Sequence, residues 1–426
     1  MRPGLALVLT VALLASTGCS VTGPQSVALA RSDAPRATAD PAAADAAAVA
    51  IDVFGFDLYR RLAAADRSAG LVFSPSSIAI ALAMARAGAR AETAAQMDAV
   101  MHAVGSDANA AGINALDQAL AARSGTFQGR DGKPYDLTLR IANAPFAQRD
   151  LKLEPAFLDA LAARFGAGVR LVDYRSDADA ARRQINAWVD DETAKRIPEL
   201  LAPGVLDAMT RLVLVNAIYL KAPWQTAFAP DATRPGPFTR LDGSTIDVPT
   251  MAMQEDLPYA EGPGWRAVEL PYVGGSLALT VVVPETHDGL PALEGSLDAD
   301  GFSRIAAALG PQEVELTLPR FAVETKAELG DLLGALGMPL AFDPDRADFS
   351  GMTADEQLFI AHVIHQANIS VDEKGTEAAA ATGVVMSATA VPVELAHLHV
   401  DHPFLFALRD VPTGAILFLG RVLDPS

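Results

Sequence analysis

Apolar residues recur at helical spacing from Ala46 to Ala65, through Val49, Val53, Phe56 and Leu62, and Ser77 to Val100 continues in the same style. This period predicts amphipathic or buried helices over both stretches. Leu212 to Leu220 has no such period: Val213, Val215, Ile218 and Tyr219 make it too apolar for one-sided exposure, which predicts a fully buried strand. Phe238 to Met251 alternates around Asp242-Gly243, and Trp265 to Val283 around Gly274-Gly275, giving two hairpin signals. Glu313 to Val323 reads as a strand, Lys326 to Leu336 as a helix, and Ile360 to Val371 as a long extended segment. No internal repeat is present. The 426 residues would permit two or three domains, but no Pro/Gly/Ser-rich linker interrupts the chain after about residue 45. One mixed domain over 46–426 is the simpler expectation.

The extended segment feeds into Glu373-Lys-Gly375-Thr376-Glu377-Ala378-Ala379-Ala380-Ala381-Thr382. Two readings meet here. Alanine has the highest helix propensity, so the run could start a helix. It leads, however, into Gly383, Val384 and Val385 and then Pro392, which end any helix. In the alternative the segment adds to a sheet as a strand. Thr376, Ala378, Ala380 and Thr382 then face one side and Glu377, Ala379 and Ala381 the other, which puts the charge on the outward face. Alanine has no rotamer freedom to lose on burial, and Gly375 absorbs a large backbone rotation, so such insertion costs little.

Val371 to Thr382 resembles the hinge of the reactive-centre loop in inhibitory serpins. Asp401-His-Pro-Phe-Leu-Phe406 and Gly414 to Pro425 resemble the closing strands of that family, and Leu71 to Ala89 its second helix with the preceding Phe-Ser-Pro. Ile185-Asn186-Ala-Trp188, Val215-Asn216-Ala-Ile-Tyr219, Val268 to Tyr272, Leu318-Pro-Arg-Phe321, Asp348-Phe-Ser-Gly351 and Val363-Ile-His365 follow in family order. The resemblance spans about residues 46–426.

It implies an α+β fold with three β-sheets, eight or nine helices and an exposed reactive-centre loop at about 373–396. It implies a suicide substrate, not an enzyme: a serine protease attacks the loop, and the severed segment inserts into the central sheet while the protease is still an acyl-enzyme. Forward counting from Gly375 places the scissile bond between Thr389 and Ala390. Backward counting from Pro403-Phe404 falls on Pro392, so Ala388 to Ala390 all stay in view. Thr376 to Pro392 holds no Lys or Arg, which fits elastase-like or subtilisin-like targets better than trypsin-like ones. Ser74, Ser77, Asn186 and His365 match the family's sheet-opening gate, and Trp224 the tryptophan at the top of the opening. A non-inhibitory carrier or chaperone on the same scaffold, and a cross-class inhibitor of cysteine proteases, are the alternatives.

A formal charge of −19 with no Lys/Arg cluster excludes nucleic acid as a partner. The G-x-S-x-G, H-E-x-x-H, P-loop and G-x-G-x-x-G patterns are absent. His397, His399 and His402 cluster, but a solvated strand end accounts for them, so neither a metal nor a cofactor is expected. The partner expected is the target protease, and the inhibitor itself is expected to be a monomer. At the N-terminus, Arg2 precedes the apolar run Leu5 to Ala15, too short for a permanent membrane span. Ser16-Thr17-Gly18-Cys19 resembles a lipoprotein cleavage site. Residues 1–18 therefore read as a signal peptide, Cys19 as a lipid attachment point or a chance cysteine after an ordinary signal, and 19–45 as a flexible tether. The expected location is extracellular or periplasmic, with membrane contact only through that lipid.

Overall fold

A computed structural model describes residues 27–103, 105–377 and 395–426. Strand β1 (Ala28–Ala30) precedes helix α1 (Pro41–Ala65). Asp40 sets the start of that helix: its carboxylate accepts the Ala42 N–H at 3.1 Å, and Pro41 takes the first helical position, where no N–H is needed. From residue 27 onward the span read as a tether is thus a strand, a docked connection and the first helical turn, and the helix begins ahead of Ala46. Strand β2 (Leu71–Phe73) leads to α2 (Pro75–Arg86) and α3 (Ala91–Val100). These are two helices because Gly88 passes so close to Met352 that a Cβ would lie 2.1 Å from its side chain, and the Arg90 N–H turns away to the Asp348 carbonyl.

Then follow α4 (Ser106–Ala121), β3 (Gly125–Gln128), β4 (Pro134–Gln148), α5 (Pro155–Phe165), β5 (Val169–Val172), α6 (Tyr174–Glu192) and β6 (Leu212–Pro223). The two hairpins are β7 (Arg234–Thr239) with β8 (Thr245–Gly262) and β9 (Trp265–Pro271) with β10 (Leu277–Pro284), turning at the glycines expected. Helices α7 (Leu290–Ser296) and α8 (Ala299–Ala308) come next. The single strand expected over 313–323 is two strands, β11 (Gly310–Pro319) and β12 (Phe321–Glu328), which part at Arg320 into different sheets. Residues 326–328 complete β12, so the following helix, α9, is only Gly330–Leu336. The chain ends with β13 (His362–Asp372), β14 (Gly375–Thr376), β15 (Ala396–His399), β16 (Phe404–Asp410) and β17 (Ile416–Val422).

The central, eight-stranded sheet runs β1-β5-β4-β6-β14-β13-β12, with β3 on β4. A nine-stranded sheet runs β15-β11-β8-β9-β10-β16-β17-β2, with β7 on β8. Two of the three expected sheets are therefore continuous by hydrogen bonding, because the 18-residue β8 belongs to both. The larger core fills the space between the sheets and α1, α2 and α4. A smaller one forms where Ala181, Ile185 and Val189 of α6, with Ile197, Leu200 and Leu201, cover Ala142, Val213, Val215 and Ile364 on the other face of the central sheet. No helix among the described residues is long and apolar enough to cross a membrane.

Candidate functional site: the opening in the central sheet

Strands β6 and β13 are parallel and meet directly only from Val213–Ala217 against His362–Gln366. Higher up, Ile218–Lys221 pairs outward with β4 and Ala367–Ser370 outward with β12, and among the described residues no strand ladder joins the facing edges. At the top β14 fills the gap: Gly375 and Thr376 pair with Pro223 and Ala222 on one side and with Asp372 and Val371 on the other. Two residues of the proposed insert are thus already in place. Only glycine fits at 375, where φ is +143° and a Cβ would meet the Ala222 carbonyl oxygen at 2.1 Å.

Thr376 points into the larger core at 2 % exposure, its hydroxyl 2.6 Å from that of Tyr272. Tyr272 stacks on Trp224 with ring centroids 4.5 Å apart, and the Trp224 indole N–H donates to the Asp372 carbonyl at 2.9 Å. The turn between β13 and β14 is held by the Trp224 and Phe228 N–H groups, which donate to the Lys374 and Glu373 carbonyls. The Glu373 carboxylate accepts from Arg320 at 2.7 Å and from the Thr233 hydroxyl. Burial pushes this carboxyl up, but those hydrogen bonds outweigh it and hold it below its ordinary value. Replacing Glu373 by Lys should set two cations face to face and lower stability by about 2 kcal/mol, a figure moderated by Arg320 being nearly half exposed. A thermal melt would show it, and exchanging the charges with Arg320→Glu should recover part of the loss. An unchanged melt would remove this pair from the clamp.

Glu377 does turn to the opposite face from Thr376, but that face is not solvent. Its side chain is only 8 % exposed, lies 3.2 Å from Arg196 in the segment after α6, and is pushed up by burial against the opposing pull of that guanidinium. Its φ of +51° places a left-handed kink directly after β14. The other hinge residues, Ala378, Ala379, Ala380, Ala381 and Thr382, lie outside the described residues, as do Thr389, Ala390 and Cys19.

Below the opening, a buried polar network crosses the β6–β13 seam. Ser74 caps α2 by accepting the Ser77 N–H, and its own N–H donates to His365 Nε2 at 3.1 Å. Nε2 is therefore the acceptor, and Nδ1 carries the proton that it donates to Asn216 Oδ1. Asn216 Nδ2 in turn donates to Ser77 Oγ at 2.6 Å and to Asn143 Oδ1. Complete burial brings the imidazole down to about 3, so it is neutral. The structure brings Ser74, Ser77 and His365 together and sets Trp224 at the top of the gap. Asn186 is not among them. It lies on α6, where its side chain accepts the Leu201 N–H and donates to the Leu201 carbonyl, fastening the segment after the helix over the sheet. The seam asparagines are Asn216 and Asn143. An asparagine inside a strand apolar on both faces must find a buried partner, and that signal at Asn216 was available in the sequence.

His397 and His399 share an exposed face of β15, against Glu315 and Thr317 respectively, and His362 pairs with Glu328. Among the described residues no three His, Cys, Asp or Glu side chains converge as a metal site.

The described residues form a mixed α+β body whose central strands β6 and β13 pair directly at one end and hold the two-residue strand β14 between them at the other. The family model described as serpin (serine protease inhibitor) matches residues 49–425, and the chain belongs to that family. It is 37 % identical over 381 residues to the leukocyte elastase inhibitor of Bos taurus, covering 87 % of this chain and 97 % of the relative. It is 35 % identical to plasminogen activator inhibitor 1 of Sus scrofa, covering 89 % and 92 %. The crystal structure of uncleaved ovalbumin superposes with a TM-score of 0.78 at 25 % identity, covering 89 % of this chain and all of that one.

Proposed function

We propose that the protein inhibits serine proteases as a suicide substrate. The observation that carries this reading is β14: Gly375 and Thr376 already occupy the slot between β6 and β13, so the strand that follows has its first register set. A protease serine attacks the carbonyl carbon of Thr389, the bond to the Ala390 nitrogen breaks, and the enzyme is held as an ester on Thr389. Residues 378–389 then enter the slot. At about 3.3 Å per residue this carries the attached protease some 40 Å toward the zipped end of the sheet. About a dozen new backbone hydrogen bonds at about 1 kcal/mol each supply on the order of 10 kcal/mol, enough to distort the protease before water releases it.

The absence of Lys and Arg from Thr376 to Pro392 favours elastase-like or subtilisin-like targets, and the name of the bovine relative points the same way. Residues 1–18 would direct export, and lipid on Cys19 would hold the protein at a membrane surface. Incubation with elastase and with subtilisin should give a covalent complex that survives denaturing electrophoresis, and mass spectrometry of the released C-terminal peptide should begin at Ala390. Recovery of only loop-cleaved protein, with both enzymes fully active, would overturn the reading.

A further inference from the structure

The segment from Val27 to Asp40 lies ahead of the family match, which starts at residue 49, yet it is fitted closely to the domain. Its strand β1 pairs antiparallel with β5 and becomes the outermost member of the central sheet: Ala28 faces Leu171, Leu29 faces Arg170, and Ala30 faces Val169. Gly168 makes room for it, since a Cβ there would stand 2.5 Å from the Ala30 carbonyl oxygen and 3.0 Å from the Arg31 Cβ. Beyond the strand, the Ser32 hydroxyl bonds Asp159 of α5, and the Ala37 N–H donates to the Ala163 carbonyl at 2.7 Å.

Arg36 reaches α4, donating from Nε to Asn114 at 3.0 Å and pairing with Asp117. Asn114 is 2 % exposed and spends both ends of its amide here, since its Nδ2 donates to the Ala37 carbonyl at 3.1 Å. Departure of the segment would take the Ala37 carbonyl from Asn114 Nδ2 and leave Oδ1 only the Gln118 amide, so the docking is specific. Val27 packs against the α6-side core, whereas Ala30 and Ala39 pack against the larger one.

This path matters because of what must move. Inserting a strand requires β6 to leave β13, and β6 carries β4, β5 and β1 with it. The segment ties that outer half, through Ser32 and Ala37 on α5 and Arg36 and Ala37 on α4, to α1, which packs against α4 and, on the other body, against β17, α2, α8 and α9. We propose that Val27–Asp40 is a clasp that restrains the β4–β5–β6 half of the central sheet and so slows opening of the β6–β13 seam. Its consequence for inhibition rests on the function proposed above; the clasp itself is tested without a protease.

Hydrogen exchange of the full chain should be compared with that of Gly168→Val, which places side-chain atoms where the Ala30 carbonyl lies, and of Arg36→Ala, which removes the bonds to Asn114 and Asp117 and leaves strand β1 in place. The clasp predicts that the amides of Val213–Ala217 and His362–Gln366 exchange roughly tenfold faster in Gly168→Val and about threefold faster in Arg36→Ala, while β9, β10 and β16 are unchanged. Faster exchange confined to Ala28–Ala30 and Val169–Val172 would overturn it, and so would a uniform acceleration that includes the nine-stranded sheet. Titration of the unaltered protein with elastase and subtilisin keeps the two ideas apart: a failure to form a complex removes the inhibitor reading and leaves the exchange result standing.

Discussion

Thr376→Arg should turn the protein from an inhibitor into a substrate, with the loop cut at an unchanged rate and the yield of covalent complex reduced more than about a hundredfold. Thr376 occupies a closed position between β6 and β13, 2 % exposed and with its hydroxyl on that of Tyr272. An arginine there must either bury an unpaired guanidinium or keep β14 out of the slot. Either costs several kcal/mol, and about 3 kcal/mol in the insertion barrier already slows it more than a hundredfold. Insertion competes with hydrolysis of the acyl-enzyme, so the slower step yields cleaved inhibitor and free protease. Cleavage itself takes place about a dozen residues away and should not change. Gel densitometry of complex against cleaved protein reads the partition, and a normal complex yield would refute the inward assignment of this side chain.

The placements of Gly375 and Thr376 were legible in the sequence because their requirements are local. A glycine at a left-handed, crowded position and a threonine facing the core follow from residue type and the two-residue period of a strand. What that period cannot tell is what covers the far face. It placed Glu377 on the outward face, away from Thr376, and that face is covered by the segment after α6, carrying Arg196. The gate shows the same limit. Ser74, Ser77 and His365 sit in recognisable runs, whereas Asn186 and Asn216 lie in similar local settings, and only the third dimension shows that one fastens a loop while the other crosses the seam.

The clearest miss is the segment before α1. Its alanines alternate with Pro, Asp, Ser and Arg in no helix or strand period, yet β5 offers a free strand edge and α4 a buried amide, and these contacts order it. Pro319, which has no N–H for a ladder, signals the break between β11 and β12, but nothing beside it says that the two strands join different sheets.

Acidification should open the seam through His365. An unfolded or exposed histidine titrates near 6.5, whereas the buried ring is brought down to about 3. Between those values the opened state binds a proton that the closed state does not, so closed-state stability falls as pH falls across that window. At pH 5 the loss from this one group is about 2 kcal/mol. Glu373, whose carboxyl is held below its ordinary 4.5, withdraws its contribution only at lower pH. Asp52, pushed up to about 8 by burial, acts in the opposite sense over the same range. The decisive measurement is therefore a difference: thermal midpoints from pH 7 to pH 5 for the unaltered protein and for His365→Gln, which share every other titrating group. The glutamine variant should melt lower at pH 7, because it disturbs the bonds to Ser74 and Asn216, and the gap should narrow as the pH falls because only the histidine loses stability on protonation. Parallel pH dependences would mean that the ring is not the acid-sensitive element of the seam. A narrowing gap accompanied by faster hydrogen exchange at Val213–Ala217 would locate that sensitivity in the strands that must part for insertion.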